Sequence, residues 1–404
     1  MTGVTIERLG HQGDGIAPGP VFAPRTLPGE RVEGELDGNR IDRPRIVTPS
    51  PDRVRPPCRH YKSCGGCALQ HASDDFVARW KMDVVQTALA AQGIDANLAE
   101  IETSPPRSRR RAVLSARRMK TGVLIGFHAP RSDALTAIPD CLLLHPDLIA
   151  TFPAMEALVE AGGSRKGTVR IAVALSQTGP DVVVTGGKPL DPVLESTLAQ
   201  IAGQTGLARL TWEDELVAMA VPPAQRFGAA LVVPPSGAFL QATAEGEAAL
   251  RREVLAGVGD ARRVVDLFAG SGTFSLPFAG QAEVHAVEAS AAMMAALDAG
   301  WRKAQGLKRV TTETRDLFRH PLMPDELDRF DAIVIDPPRA GAEAQTREIA
   351  ASSATRIAAV SCNPVTFARD ARILIEAGFT LERLMVVDQF RWSTHVELAA
   401  HFRR

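Results

Sequence analysis

Arg263-Val264-Val265-Asp266-Leu267-Phe268 runs directly into Ala269-Gly270-Ser271-Gly272-Thr273. An apolar run before a Gly-x-Gly turn reads as a strand entering a glycine turn, and Phe274 onward reads as the start of a helix. Outward from it, Val284-His285-Ala286-Val287-Glu288 is a second strand and Val310 to Glu313 a third. Phe330 to Ile335 is a later one, ending in Asp336-Pro337-Pro338-Arg339. Ile357 to Val360 is a further apolar run, stopped by Ser361-Cys362-Asn363-Pro364, because Asn-Pro favours a turn. From about Phe239, strands alternate with helical stretches, which predicts a parallel sheet with crossover helices over residues 236–404. Such sheets bind ligands beyond the carboxyl ends of their strands, where Gly270, Glu288, Asp336 and Cys362 all fall.

The turn lacks the third glycine of a dinucleotide site; Ser275 stands there. No pyrophosphate needs room if the cofactor is S-adenosylmethionine. Glu288 comes about 20 residues after the glycines, where an acid binds ribose hydroxyls. Asp316, after the third strand, is placed for the adenine amine. The plainer alternative for both is a solvated strand end, and Asp266 reads equally as a residue that fixes the turn. Asp336 sits on a rigid Pro-Pro turn, open either to a substrate or to the amine side of the cofactor. Taken alone, Cys362 reads as a buried structural thiol, since free cysteine is among the most buried residues. Its place at the strand lip offers the other reading, a nucleophile.

The rest of the 404 residues divides in two. Residues 1–50 carry short β runs (Val4 to Leu9, Pro20 to Ala23, Arg31 to Leu36) around a turn-rich Gly10 to Gly19, which fits a small open barrel of the oligonucleotide-binding type. Residues 51–235 form a central α+β region. It opens with Cys58, Cys64-Gly65-Gly66-Cys67 and the more distant Cys141, a three-plus-one thiol pattern that suits an iron–sulfur cluster or a four-cysteine zinc site. Asp74 to Gly93 has helical apolar spacing. Arg107, Arg109, Arg110, Arg111, Arg117, Arg118, Lys120 and Arg131 then flank a hairpin of Ala112 to Ala116 and Val123 to Phe127. Alternate arginines would project from one face of that hairpin toward phosphates. The net charge of −1 does not exclude such a local basic face. No apolar run would span a bilayer, and Met1-Thr2-Gly3-Val4 does not open a signal peptide. A cytoplasmic monomer is expected, with reduced thiols free for metal binding or catalysis.

With these residues in view, the chain resembles the S-adenosylmethionine-dependent RNA uracil-5 methyltransferase family along nearly its whole length. The resemblance is carried by the Cys58 to Cys67 cluster and Cys141, Arg109-Arg110-Arg111-Ala112, Gly126-Phe127-His128 and Phe239-Leu240-Gln241. Asp266 to Phe274, Asp336 to Gly341, Ser361-Cys362-Asn363-Pro364 and His395-Val396-Glu397 complete it. It implies a class I methyltransferase domain, a central iron–sulfur domain and an N-terminal unit similar to the RNA-binding TRAM domain. Cys58, Cys64, Cys67 and Cys141 would hold a [4Fe-4S] cluster. Gln241, Phe268, Thr273, Glu288, Asp316 and Asp336 would line the cofactor site, with Gly270 in its turn. Cys362 would be the nucleophile and Glu397 the general base. The cysteine quartet resembles the ribosomal RNA branch, so 23S ribosomal RNA is the first expected partner and tRNA the second. Thr273 stands where the family often has Asn, and Arg391-Trp392 where it has proline and a polar residue.

The chemistry supports these roles independently. Carbon 5 of uracil is a poor nucleophile, and thiolate addition at carbon 6 converts the ring to an enolate reactive at carbon 5. A base must then remove the carbon 5 proton, and the target base must leave its stack to enter the pocket. Two rivals remain at this level. An NAD-dependent oxidoreductase leaves Cys362 unexplained. A non-catalytic iron–sulfur RNA-binding protein leaves Asp336-Pro337-Pro338 unexplained.

Overall fold

The computed structural model describes residues 2–404; Met1, at the start of the N-terminal unit, lies outside them. Its largest sheet has eight strands in the order 310–314, 283–288, 263–267, 332–335, 356–361, 397–403, 380–388 and 98–103. The first five are mutually parallel. From Arg263–Leu267 the chain winds outward through Glu283–Glu288 and Val310–Thr314, then returns to the other side with Ala332–Ile335. This reversal opens a crevice at the carboxyl ends of the two central strands. Glu397–Arg403 runs antiparallel between its neighbours, pairing Leu398 with Ser361 and Glu397 with Val387. Its first residue therefore lands on the same edge as Cys362.

Val264 packs into one core and Val265 and Leu267 into another, so both faces of the central strand are covered. This is why the strand reads as continuously apolar. The helix expected from Phe274 is only the single turn Ser275–Phe278. A glycine, Gly280, follows closely and favours a loop over continued helix.

The expected boundary at 236 is not a clean cut. Leu98–Thr103 joins the large sheet parallel to Thr380–Asp388. Helix Asp74–Ala90 starts at Ser73, whose side chain accepts the Phe76 N–H, and buries Val85 and Leu89 with Phe367 and Leu374. The apolar stripe of that helix finds its partner in the C-terminal core. The same face carries Lys81, fully buried and bonded at 2.6 Å to the buried Asp388. A second Lys81 bond, 3.3 Å to the Phe390 carbonyl, steadies the chain beyond the strand. Removing one partner of a buried pair strands the other charge, so Lys81→Met is expected to cost about 3–5 kcal/mol. Urea unfolding would read this as a lowered midpoint, with the Lys81→Met/Asp388→Leu double variant recovering much of the loss.

The central region is a seven-stranded sheet, with helices Phe152–Gly162 and Pro192–Gln204 contributing to its core. The hairpin forms as expected from Arg111–Arg118 and Val123–His128. Its arginines do not make one phosphate-facing stripe. Arg110 pairs with the buried Glu247, Arg117 bonds Thr168, and Arg131 reaches Asp14 in the N-terminal unit. Arg109 donates to the Arg111 carbonyl at 3.1 Å and lies over the Phe390 ring at 5.7 Å. Arg110 and Arg131 lie outside the strand and pair with acids distant in sequence, whereas Arg117, within it, meets a neutral hydroxyl. The N-terminal unit consists of two three-stranded sheets, and the stretch expected as turns holds a strand, Asp14–Ala17. Among the described residues no helix is long and apolar enough to cross a membrane.

Candidate active site

All nine residues expected to bind cofactor or act in catalysis line one cleft of about 560 Å³. They are Gln241, Phe268, Gly270, Thr273, Glu288, Asp316, Asp336, Cys362 and Glu397. That size suits a single small-molecule ligand. The glycine turn forms one wall. Gly270 (φ +56°) and Gly272 (φ +96°) take the left-handed conformation that glycine tolerates. Glu288 accepts the Gly270 N–H at 3.3 Å and the Ser290 N–H at 3.0 Å, so it joins the turn to the next helix. Asp266 is fully buried and accepts the Ser275 hydroxyl at 2.5 Å. Burial, only partly offset by Ser275, pushes its carboxyl up to about 7. Among the described residues Asp266 Oδ1 and Ser271 Oγ have no hydrogen-bond partner, and Ser271 lines the cleft, so the turn offers it one unsatisfied hydroxyl that fits a polar ligand.

Phe268 adopts φ +62°, an uncommon conformation for an aromatic residue. Its ring lies 5.4 Å from that of Phe318, and both line the cleft. Asp316, two residues before Phe318, accepts the Phe318 N–H at 3.0 Å.

Cys362 lies between Arg356–Ser361 and helix Pro364–Glu376. Asn363 caps that helix by accepting the Val365 N–H and donates to the Arg339 carbonyl at 2.9 Å. This latches the cysteine turn onto the Asp336-Pro337-Pro338-Arg339 loop. A helix N-terminus so close favours a thiolate. Burial and the neighbouring Glu397 and Asp336 outweigh it, raising the Cys362 thiol above its ordinary value. Glu397 is 5% exposed, and burial pushes it up to about 7. Asp336 is raised well above the ordinary carboxyl range by burial and by Glu397 and Asp266.

Two residues with no site role in the sequence reading belong here. Arg111 lines the cleft over the Phe239 ring at 4.6 Å. Among the described residues its buried Nε has no partner. Burial pulls its pKa down to about 10, which leaves it a cation at neutral pH. Gln389, 1% exposed, donates from Nε2 to Gln241 at 2.6 Å and to Glu397. The only sequence signal for it was an amide between Asp388 and Phe390, two positions before the Arg391-Trp392 departure. That departure has a tertiary explanation: Arg391 pairs with Asp74, and the Trp392 carbonyl accepts the Ala68 and Leu69 N–H groups.

Cys58, Cys64, Cys67 and Cys141 line a second, small cavity. Gly65 and Gly66 are needed for close approach there, because a Cβ would meet the His128 carbonyl oxygen at 2.5 Å and the Phe127 ring at 2.9 Å. Cys64 accepts the Gly66 N–H and Cys141 the Leu143 N–H, each at 3.4 Å. Burial raises the Cys64, Cys67 and Cys141 thiols, and their mutual repulsion adds to it. Among the described residues no three His, Cys, Asp or Glu side chains are set to hold a metal ion as they stand.

A family model described as tRNA (Uracil-5-)-methyltransferase matches residues 237–404. A 23S rRNA (uracil(1939)-C(5))-methyltransferase RlmD from Chromohalobacter salexigens is 33% identical over 98% of this chain and 88% of its own. The chain belongs to the RNA uracil-5 methyltransferase family. An uncharacterized RNA methyltransferase from Brucella suis biovar 1 is 44% identical over 98% of this chain and 96% of its own. The fold agrees with a crystal structure of Pyrococcus abyssi tRNA (uracil-54, C5)-methyltransferase in complex with S-adenosyl-L-homocysteine. That match has a TM-score of 0.76 and 19% identity, covering 99% of each chain. As a member of this family the protein is an S-adenosylmethionine-dependent RNA methyltransferase, and its Rossmann-like domain carries the cleft.

Proposed function

We propose that this methyltransferase modifies carbon 5 of a uridine in 23S ribosomal RNA through a covalent Cys362 adduct. The observation that carries the reading is the convergence of Cys362, Glu397 and the glycine turn on one cleft at one sheet edge. S-adenosylmethionine, when bound, supplies an electrophilic methyl group and a positive sulfonium. Gln241, Phe268, Gly270, Thr273, Glu288, Asp316 and Asp336 would hold it. The Cys362 thiolate bonds to carbon 6 of uracil, and the π pair of the carbon 5–carbon 6 bond moves into the ring carbonyl as an enolate. The unpartnered Arg111 cation steadies that negative charge. Carbon 5 of the enolate would bond to the methyl carbon as the methyl–sulfur bond breaks and its pair leaves with S-adenosylhomocysteine, so carbon 5 then bears both the methyl group and a proton. Glu397 takes the proton, the double bond re-forms, and the carbon 6–sulfur electrons leave with Cys362.

The 23S target is supported by the 33% identity to a 23S ribosomal RNA enzyme and by the four thiols facing one cavity. A tRNA uridine is the second reading, favoured by the description of the family model. Mass-spectrometric mapping of 5-methyluridine in both RNAs from a strain lacking the gene separates them. A methylation lost from tRNA alone overturns the first reading.

Cys58, Cys64, Cys67 and Cys141 would hold a [4Fe-4S] cluster, supplying a cross-link between the cysteine loop and the central sheet. The four thiols line one cavity, and their three-plus-one spacing in the chain favours a cluster over a paired zinc site. Anaerobically purified protein is expected to absorb near ~400 nm, and Cys67→Ser to lose that band and melt several degrees lower. Zinc without iron on elemental analysis would refute the cluster. The N-terminal β unit, similar to a TRAM domain, adds RNA contact.

A further inference from the structure

We infer that Gln389 is a positioning residue for the catalytic base, setting which oxygen of Glu397 receives the carbon 5 proton. The inference rests on the assignment of Glu397 as that base. The Gln389 amide is fully engaged. Its Oε1 accepts the backbone N–H of Ala242 at 2.7 Å and of Thr243 at 3.4 Å. Backbone N–H groups can only donate, so the amide cannot be reversed without losing both bonds. Nε2 must therefore face the other way, where it donates to Gln241 Oε1 and to Glu397 Oε2.

A donor fixed on Oε2 disfavours a proton there. The proton leaving carbon 5 is directed to Oε1: the carbon 5–hydrogen bond breaks, the Oε1–hydrogen bond forms, and the freed pair expels the Cys362 thiolate. The donor also stabilises the ionised carboxylate, the form that can act as base. The other charged or titratable groups facing Glu397 are Arg111 from the central sheet, Lys81 from helix Asp74–Ala90, and Asp388 at its strand end. Asp336 and Cys362 complete the set from the neighbouring strand ends. Arg111 and Lys81 favour ionisation, whereas burial and Asp388 oppose it. Among the described residues Gln389 is the one neutral donor to the carboxylate, and no cation hydrogen-bonds it.

The test follows release of methylated RNA from the covalent complex between about pH 6 and about pH 9, using an unmodified 23S ribosomal RNA transcript and S-adenosylmethionine. Gln389→Leu removes the whole amide. Gln389→Glu keeps acceptors for Ala242 and Thr243 but replaces the donor with a second carboxyl, so it serves if the leucine variant folds poorly. Both are expected to form the adduct at the wild-type rate and to move the rising limb of the release profile upward by about one to two pH units, as expected for losing a hydrogen bond to a charged group. Folded variants that bind S-adenosylhomocysteine yet keep the wild-type limb overturn the positioning role. Glu397→Gln, run alongside, separates the two assignments: wild-type release in that variant overturns the base itself.

Discussion

Cys362→Ala abolishes methyl transfer, with turnover falling on the order of 10⁴-fold or more, while S-adenosylhomocysteine binds within about twofold of wild type. The split follows from where the residue sits. Cys362 follows Arg356–Ser361, whereas the glycine turn and Glu288 sit two and three strands away in the sheet order. The wall formed by the glycine turn and Glu288 does not depend on the thiol. The substitution should cost little stability, since Cys362 is only half-buried and the Asn363 cap and its bond to Arg339 are retained. Tritiated methyl incorporation and calorimetry on one preparation measure both quantities. Turnover retained in the variant would sink covalent catalysis, and lost cofactor binding would mean that the thiol builds the pocket.

Glu397→Gln traps the reaction after methylation. Loss of a general base slows its step by about 10²–10⁴-fold. The covalent protein–RNA complex should therefore accumulate as a band that survives a denaturing gel. The fold should hold, because a glutamine oxygen at 397 still accepts from Gln389. In the wild type, release should rise with pH through about 7, where Glu397 ionises. Stability moves the opposite way. A folded-state pKa raised above the ordinary 4.5 contributes stability at low pH, and that contribution is lost as pH rises through about 7. Relative to wild type, the Gln variant should gain stability between those two values. A variant with no adduct, or whose stability difference is flat across that window, would count against Glu397 as the buried base.

Both variants depend on a feature that no stretch of sequence displays. Cys362 and Glu397 are 35 residues apart in the chain, and they share an edge only because Glu397–Arg403 enters the sheet antiparallel. The same insertion brings the end of Thr380–Asp388, and with it Gln389, to the site.

Local chemistry was enough for much of this protein. The apolar run at 263–267, the glycine turn and the acid at 288 obey rules that act within one strand-turn-helix unit, so the nucleotide-type domain was legible from residues alone. So were the Asn-Pro stop after Cys362 and the three-plus-one thiol pattern, because turn chemistry and thiol chemistry belong to residue types. What needed the tertiary structure was every assignment that depends on a partner distant in sequence. The arginine run looked uniform, yet Glu247, Thr168, Asp14 and the catalytic cleft each took a different guanidinium. Lys81 sat unremarked in a helical pattern until Asp388 came to lie beside it. Gln389 had no signature, since an amide acquires a direction only from the donors and acceptors packed around it. Charge pairing and hydrogen-bond direction are properties of neighbours in space, and for these residues the fold alone chose the neighbours.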